Sequence, residues 1–139
     1  MAITFTVSGD PVPQPRPRVS TRGGFARAYV PRQHPVHAYR DAIAITAKTA
    51  GATVTENAVR VTVFATFARP RSHCNKSGLK KTAPLLPRDD VDNVAKAVLD
   101  ALTGIAWHDD KQVADLRIVK QYGTAGATEV SIAELSGNV

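Results

Sequence analysis

The sequence predicts an α+β fold: one domain over residues 1–139, with a mixed four-stranded sheet and two helices packed on one face. Three observations predict it. Residues 58–68, AVRVTVFATFA, alternate apolar and polar side chains, the two-residue period of a strand. Residues 34–50 and 92–103 instead repeat apolar positions every three or four residues, the period of a helix. Glycine and proline punctuate the chain so that its elements follow the order β-α-β-α-β-β.

Taken in order, Ile3 to Val7 alternates as an edge or half-buried strand, and Gly9, Asp10, Pro11 and Pro13 stop it. Residues 10–32 are rich in Pro, Gly and Arg, and their proline spacing predicts extended, non-helical backbone. His34 to Ala50 is a helix, with Pro35 in its first turn, Tyr39, Ile43 and Ala47 on the inner stripe, and Gly51 ending it. Val59, Val61, Val63, Ala65 and Phe67 form the inner row of the strongest strand; Phe64 on the other row implies partial cover there. Residues 69–88 are a second loop. The next helix opens with Asp92 or Asn93 as N-cap, carries Val94, Val98 and Leu102 inward, and ends at Gly104. Lys111 to Tyr122 is a strand, starting near Gln112. Thr128 to Leu135 is the last, expected to pair with it as a hairpin across Gly123–Gly126. The tail Ser136–Val139 is expected to fray.

A chain of 139 residues that is 43% hydrophobic can bury one core without staples. Its single cysteine, Cys74, excludes an internal disulfide framework and fits a reducing compartment. No apolar run approaches the roughly 20 residues that span a bilayer, and the N-terminus lacks a basic-then-apolar leader. These features point to a cytoplasmic protein. His34 and His37 read as surface or capping residues, and the lack of a Cys or His partner at matched spacing argues against zinc.

The formal charge of +6 is unevenly spread. Segment 10–32 holds Arg16, Arg18, Arg22, Arg27 and Arg32 against Asp10 alone, a formal +4. Segment 69–88 holds Arg69, Arg71, Lys76, Lys80, Lys81 and Arg88 with no acid, a formal +6, which leaves the rest of the chain at −4. A solubilising surface mixes its signs; two concentrated cationic loops suit a polyanion. Phe25 and Tyr29 interleave with the arginines. They suit stacking on bases, or alternatively form a tucked aromatic pair on a flexible flap.

The second basic loop runs directly into acids: Asp89, Asp90 and Asp92 before the helix, then Asp109 and Asp110 after it. Clustered carboxylates repel unless something positive neutralises them, and Mg²⁺ takes such hard oxygen ligands. Asp90 and Asp92, two apart in an extended approach, are expected to point the same way, and the return strand can bring an acid of the second group near them. Lys96 stands one turn after Asp92 and can contact a phosphate, or merely pair with Asp92 or Asp100 at i,i+4. Trp107 can stack on an unpaired base or close the core beneath a loop. The alternative for the acids is structural: a helix cap and a turn before a strand. Carboxylates gathered for Mg²⁺ among basic arms are the parts of a phosphodiester hydrolase.

The stretches DDVDNVAKAVLDALTG and WHDDKQVADLRIVK strongly resemble the RusA family of Holliday-junction resolvases of bacteria and their phages, over about a third of the chain. The resemblance implies an Mg²⁺-dependent endonuclease that cuts four-way DNA junctions as a homodimer, in recombination and repair. By position it implies that Asp90, Asp92 and Asp110 are the essential acids, with Asp109 accompanying them on the metal, and that Lys96 is the essential lysine. Asn93 completes the Asp-x-Asp-Asn signature and joins Arg16, Arg18, Arg69, Arg71, Lys76, Lys80, Lys81 and Arg88 on the DNA. The chain departs from the family in the long 69–88 loop and the arginine-rich 10–32 segment, so cleavage preference does not carry over. A less selective branched-DNA nuclease and a non-catalytic DNA-binding protein are the competing readings.

Overall fold

The computed structural model describes residues 1–135, so the tail expected to fray lies outside the described residues. The elements are β1 (Ala2–Ser8), β2 (Arg18–Ser20), β3 (Arg27–Tyr29), α1 (Val36–Thr49), β4 (Val59–Ala68), β5 (Cys74–Asn75), β6 (Gly78–Leu79), α2 (Val91–Leu102), β7 (Val113–Gly123) and β8 (Ala127–Glu134). The main sheet is the mixed four-stranded one expected, in the order β1-β8-β4-β7. β8 runs antiparallel to both β1 and β4, and β7 runs parallel to β4.

That order corrects the expected terminal hairpin. β7 and β8 are not neighbours, because β4 lies between them. The inner row of β4, from Val59 to Ala65, is wholly buried, and such a strand belongs at a sheet's centre with a partner on each side. The chain therefore crosses the end of β4 instead of turning back on itself. The crossing is tied by Arg69 N–H to Gly123 O at 2.9 Å, Gly9 N–H to Gly126 O at 3.0 Å, and Ala68 N–H to Asp10 Oδ1 at 2.8 Å. A Cβ at Gly126 would fall 2.2 Å from Asp10 Oδ1, so the residue there must be glycine.

Both helices lie on one face of the sheet. α1 buries Val36, Tyr39, Ile43 and Ala47, the expected stripe with one residue added at its start. α2 buries Val94, Ala95, Ala97, Val98, Ala101 and Leu102. These meet Val59, Val61, Val63, Val130 and Ile132 in a single core. The Tyr39 hydroxyl finds its partner in Thr128 Oγ1 at 2.6 Å, which satisfies both buried groups. Trp107 is 0% exposed and donates from Nε1 to Thr103 Oγ1 at 3.2 Å, so it closes the core and does not stack on a ligand. Gly51 and Gly104 end the two helices at φ of +101° and +85°, as expected.

The two basic loops are less irregular than their prolines suggest. β2 and β3 pair as a short hairpin inside the first, with Arg18 opposite Tyr29 and Ser20 opposite Arg27. β5 and β6 do the same inside the second. Phe25 is 70% exposed and Tyr29 46%, so they are not a tucked pair. Among the described residues no helix is long and apolar enough to cross a membrane.

Candidate active site

Helix α2 carries the site because its two faces differ so sharply. Its apolar stripe is sunk in the core, which turns Asp92, Lys96 and Asp100, spaced four apart, outward as one row. The row forms one wall of a groove of about 290 Å³. Asp110 stands on the same groove, and Val91, Ala95, Leu99, Leu116 and Ile118 make its apolar floor. The structure thus brings Asp92, Lys96 and Asp110 together, with Asp100 added. Lys96 Nζ lies 3.8 Å from Asp100 Oδ2, the i,i+4 pair anticipated from the spacing. An exposed pair of this kind contributes only ~0.3–0.5 kcal/mol, so it leaves the ammonium available.

Asp90 sits elsewhere. The helix begins at Val91, and Asp90 is its N-cap residue, with extended backbone at φ −72° and ψ 133° and no side-chain cap bond. The expected cap at Asp92 or Asn93 is therefore two or three residues late. The backbone turns helical between Asp90 and Asp92, so the alternation expected of an extended segment breaks. Asp90 instead lines a neighbouring groove of about 490 Å³ with Asp89, Asn93, Gln14, Arg16, His34 and Arg88. The first basic arm is fastened here: Gln14 N–H donates to Asn93 O at 2.9 Å. Arg16 and Arg88, one from each basic loop, thus meet beside the helix N-terminus. Negative groups and anions are both favoured at that end of a helix.

The second acidic pair divides its labour. Asp109 caps a short 3₁₀ turn over Asp110–Gln112, accepting from Lys111 N–H at 2.9 Å. That backbone N–H, helped by the side chain of Asp110, holds the Asp109 carboxyl below the ordinary carboxylate range despite some desolvation. The strand expected from Gln112 begins at Val113 because of this turn. Asp110 is exposed and lies both on the α2 groove and on a second recess of about 340 Å³ with Arg40, Asp100, Thr103, His108 and Asp109.

Two residues were missed in the sequence. Gln112 accepts from the N–H groups of His108 and Asp109 at 2.9 and 3.0 Å, and donates to Thr55 O and Asn57 O at 2.9 and 3.0 Å. All four hydrogen bonds of its amide fix the loop that carries Asp110. Its signal was legible as Asp-x-x-Gln, the spacing of a capping box. The spacing marks Asp100 only as an i,i+4 partner of Lys96; its position eight residues after Asp92 puts it on the same groove wall.

The basic residues fall into two groups. Arg69 is engaged within the protein: its guanidinium lies 4.0 Å from the Tyr122 ring centre and bonds the Pro84 carbonyl, while His73 packs edge-on against the same ring. Arg18, Arg71, Lys76, Lys80 and Lys81 are exposed and form no salt bridge among the described residues. Cys74 is exposed beside them. Among the described residues no three His, Cys, Asp or Glu side chains stand close enough to form a ready-made metal cluster. The donors lining the two grooves are nonetheless carboxylates, whose hard oxygens suit Mg²⁺ and not a soft metal.

Comparison with known proteins bears directly on this arrangement. The family model described as endodeoxyribonuclease RusA matches residues 8–133. The chain is 35% identical over 140 residues to the uncharacterized protein YqaN of Bacillus subtilis, covering 96% of this chain and 97% of that protein. It is also 48% identical over 50 residues to the crossover junction endodeoxyribonuclease RusA of Escherichia coli K12, covering 34% of this chain and 42% of that enzyme.

Proposed function

The chain belongs to the RusA family of endodeoxyribonucleases, and on that premise we propose that it resolves four-way DNA junctions by paired symmetric nicks in recombination and repair. The observation that carries this reading is the groove along α2, where Asp92, Lys96, Asp100 and Asp110 meet beside a helix N-terminus flanked by Arg16 and Arg88.

In this reading Asp92 and Asp110 of the α2 groove, joined by Asp90 from the adjoining groove, would hold Mg²⁺, with Asp109 ordering the turn beside them. Bound Mg²⁺ supplies a polarised water and neutralises charge on the leaving oxygen. Lys96 reaches the phosphate from the helix face, offsetting charge as it develops on the non-bridging oxygens. Arg16, Arg88 and Asn93 hold the strand beside Asp90, and the exposed Arg18, Arg71, Lys76, Lys80 and Lys81 contact flanking phosphates. Phe25 and Tyr29, exposed among arginines, offer faces on which unpaired bases stack. A junction with two-fold symmetry calls for two sites, hence a homodimer.

Competition between a synthetic four-way junction and matched linear duplex, with and without Mg²⁺, tests the proposal. Junction-selective, Mg²⁺-dependent cutting supports it. Equal cutting of both substrates replaces it with a less selective nuclease.

A further inference from the structure

Strand β7 sets Leu116, Ile118, Lys120 and Tyr122 opposite Val61, Val63, Ala65 and Phe67, the helix-covered row of β4. A lysine in that row is out of place. Its neighbours Ile118 and Tyr122 pack on buried Ala65, Phe67 and Val94, and an ammonium at such a place is costly unless its N–H groups find acceptors. Lys120 Nζ finds two: the carbonyl of Pro87 at 2.9 Å and that of Asp89 at 2.9 Å. These carbonyls lie just before Asp90, at the point where the chain enters α2.

We infer that Lys120 is a positioning residue for Asp90, an inference that rests on the proposed role of Asp90 as a metal-holding acid. Asp90 has no side-chain cap bond. Its carboxylate is therefore placed by its backbone alone. On the helix side that backbone is held by Val94 N–H bonding Asp90 O at 3.2 Å. On the loop side Lys120 pins it, at the end of a 20-residue basic segment, 69–88, that is otherwise exposed along most of its length. Lys120 touches no substrate in this scheme; it acts through the strap of residues 87–89.

Lys120→Met keeps the stem and removes the donors, whereas Lys120→Arg can still donate to both carbonyls. Three readouts separate positioning from mere stability: hydrogen exchange of residues 88–92 without metal, junction binding without metal, and single-turnover junction cleavage against Mg²⁺ concentration. For Lys120→Met the expected result is faster exchange at 88–92 with α1 unchanged, and unchanged junction binding. Cleavage should fall on the order of 10- to 100-fold, with more Mg²⁺ needed for half-maximal rate, as for other residues that orient metal ligands. Lys120→Arg should restore most of the rate. Wild-type cleavage by Lys120→Met, equal losses in both variants, or unchanged exchange at 88–92 overturns the inference. If Lys120→Met does not fold, Lys120→Gln, which keeps one donor group, is judged by the same criteria. A wild-type protein that cuts no junction overturns the metal-site reading instead, and exchange at 88–92 still decides whether Lys120 holds the strap.

Discussion

Asp109 and Gln112 close on each other at the mouth of the return strand: the carboxylate caps the turn while the Gln112 amide oxygen accepts the Asp109 backbone N–H at 3.0 Å. Because the same amide ties the turn to Thr55 and Asn57, Asp110 is presented on a fixed loop, and Asp109 is occupied with holding it.

Gln112→Ala should therefore act on both stability and chemistry. It strands two backbone carbonyls and two N–H groups, although water can reach part of this edge. Urea unfolding should show a loss of about 1–3 kcal/mol, the range for unmade hydrogen bonds. Cleavage by the folded fraction should also fall, because Asp110 loses its anchored loop. A variant as stable as the wild type would show that the turn stands without its staple.

Stability should also depend on pH at both extremes. Burial, partly offset by the hydrogen bond with Thr128, pushes the Tyr39 phenol from 10.0 up to about 12. The folded state thus favours the neutral phenol. That stability is complete below the unfolded value of 10.0 and is lost as pH rises through the folded value of about 12. At the acid end Asp109, held down by Lys111 N–H, and Glu134, held down by the N-terminal ammonium, have the opposite sign. Their contribution is present above the ordinary carboxylate range and fades as pH falls through their lowered values. In Tyr39→Phe the alkaline decline should disappear, while neutral-pH stability drops by about 1 kcal/mol for the lost hydrogen bond. An unchanged alkaline decline would assign it to other groups.

The exposed lysines and Arg69 should behave differently on DNA. Lys80→Ala or Lys81→Ala should weaken junction binding uniformly across sequences and reduce the slope of log affinity against log salt by about one. Arg69→Ala should change that slope less, because its guanidinium is held over Tyr122 and on the Pro84 carbonyl. Equal slope changes for all three would place Arg69 on the phosphates as well.

Much of this was legible in the chain. The inner rows of β4 and both helices followed from periodicity, and the glycines at 51 and 104 marked where the helices end. The acids and Lys96 stood out because like charges rarely crowd without a neutralising partner. What escaped was set by contacts remote in sequence. The place of β8 between β1 and β4 depends on how the sheet fills its centre, not on the short Gly123–Gly126 link. Lys120 looked like an ordinary strand residue, and only the fold reveals that it reaches back to Pro87 and Asp89. Asp90 and Asp92 parted because one is the cap and the other already helical, a boundary finer than periodicity resolves.

The central claim is that the carboxylates around α2 perform metal-dependent DNA cleavage, and Asp92→Asn tests it most directly. Wild type and variant are compared on a synthetic four-way junction in Mg²⁺, with junction binding measured separately without metal. The account predicts paired symmetric nicks by the wild type and none by the variant. Binding by the variant should be kept or strengthened, since less negative charge then faces the phosphates. Nicking by Asp92→Asn at the wild-type rate would contradict it.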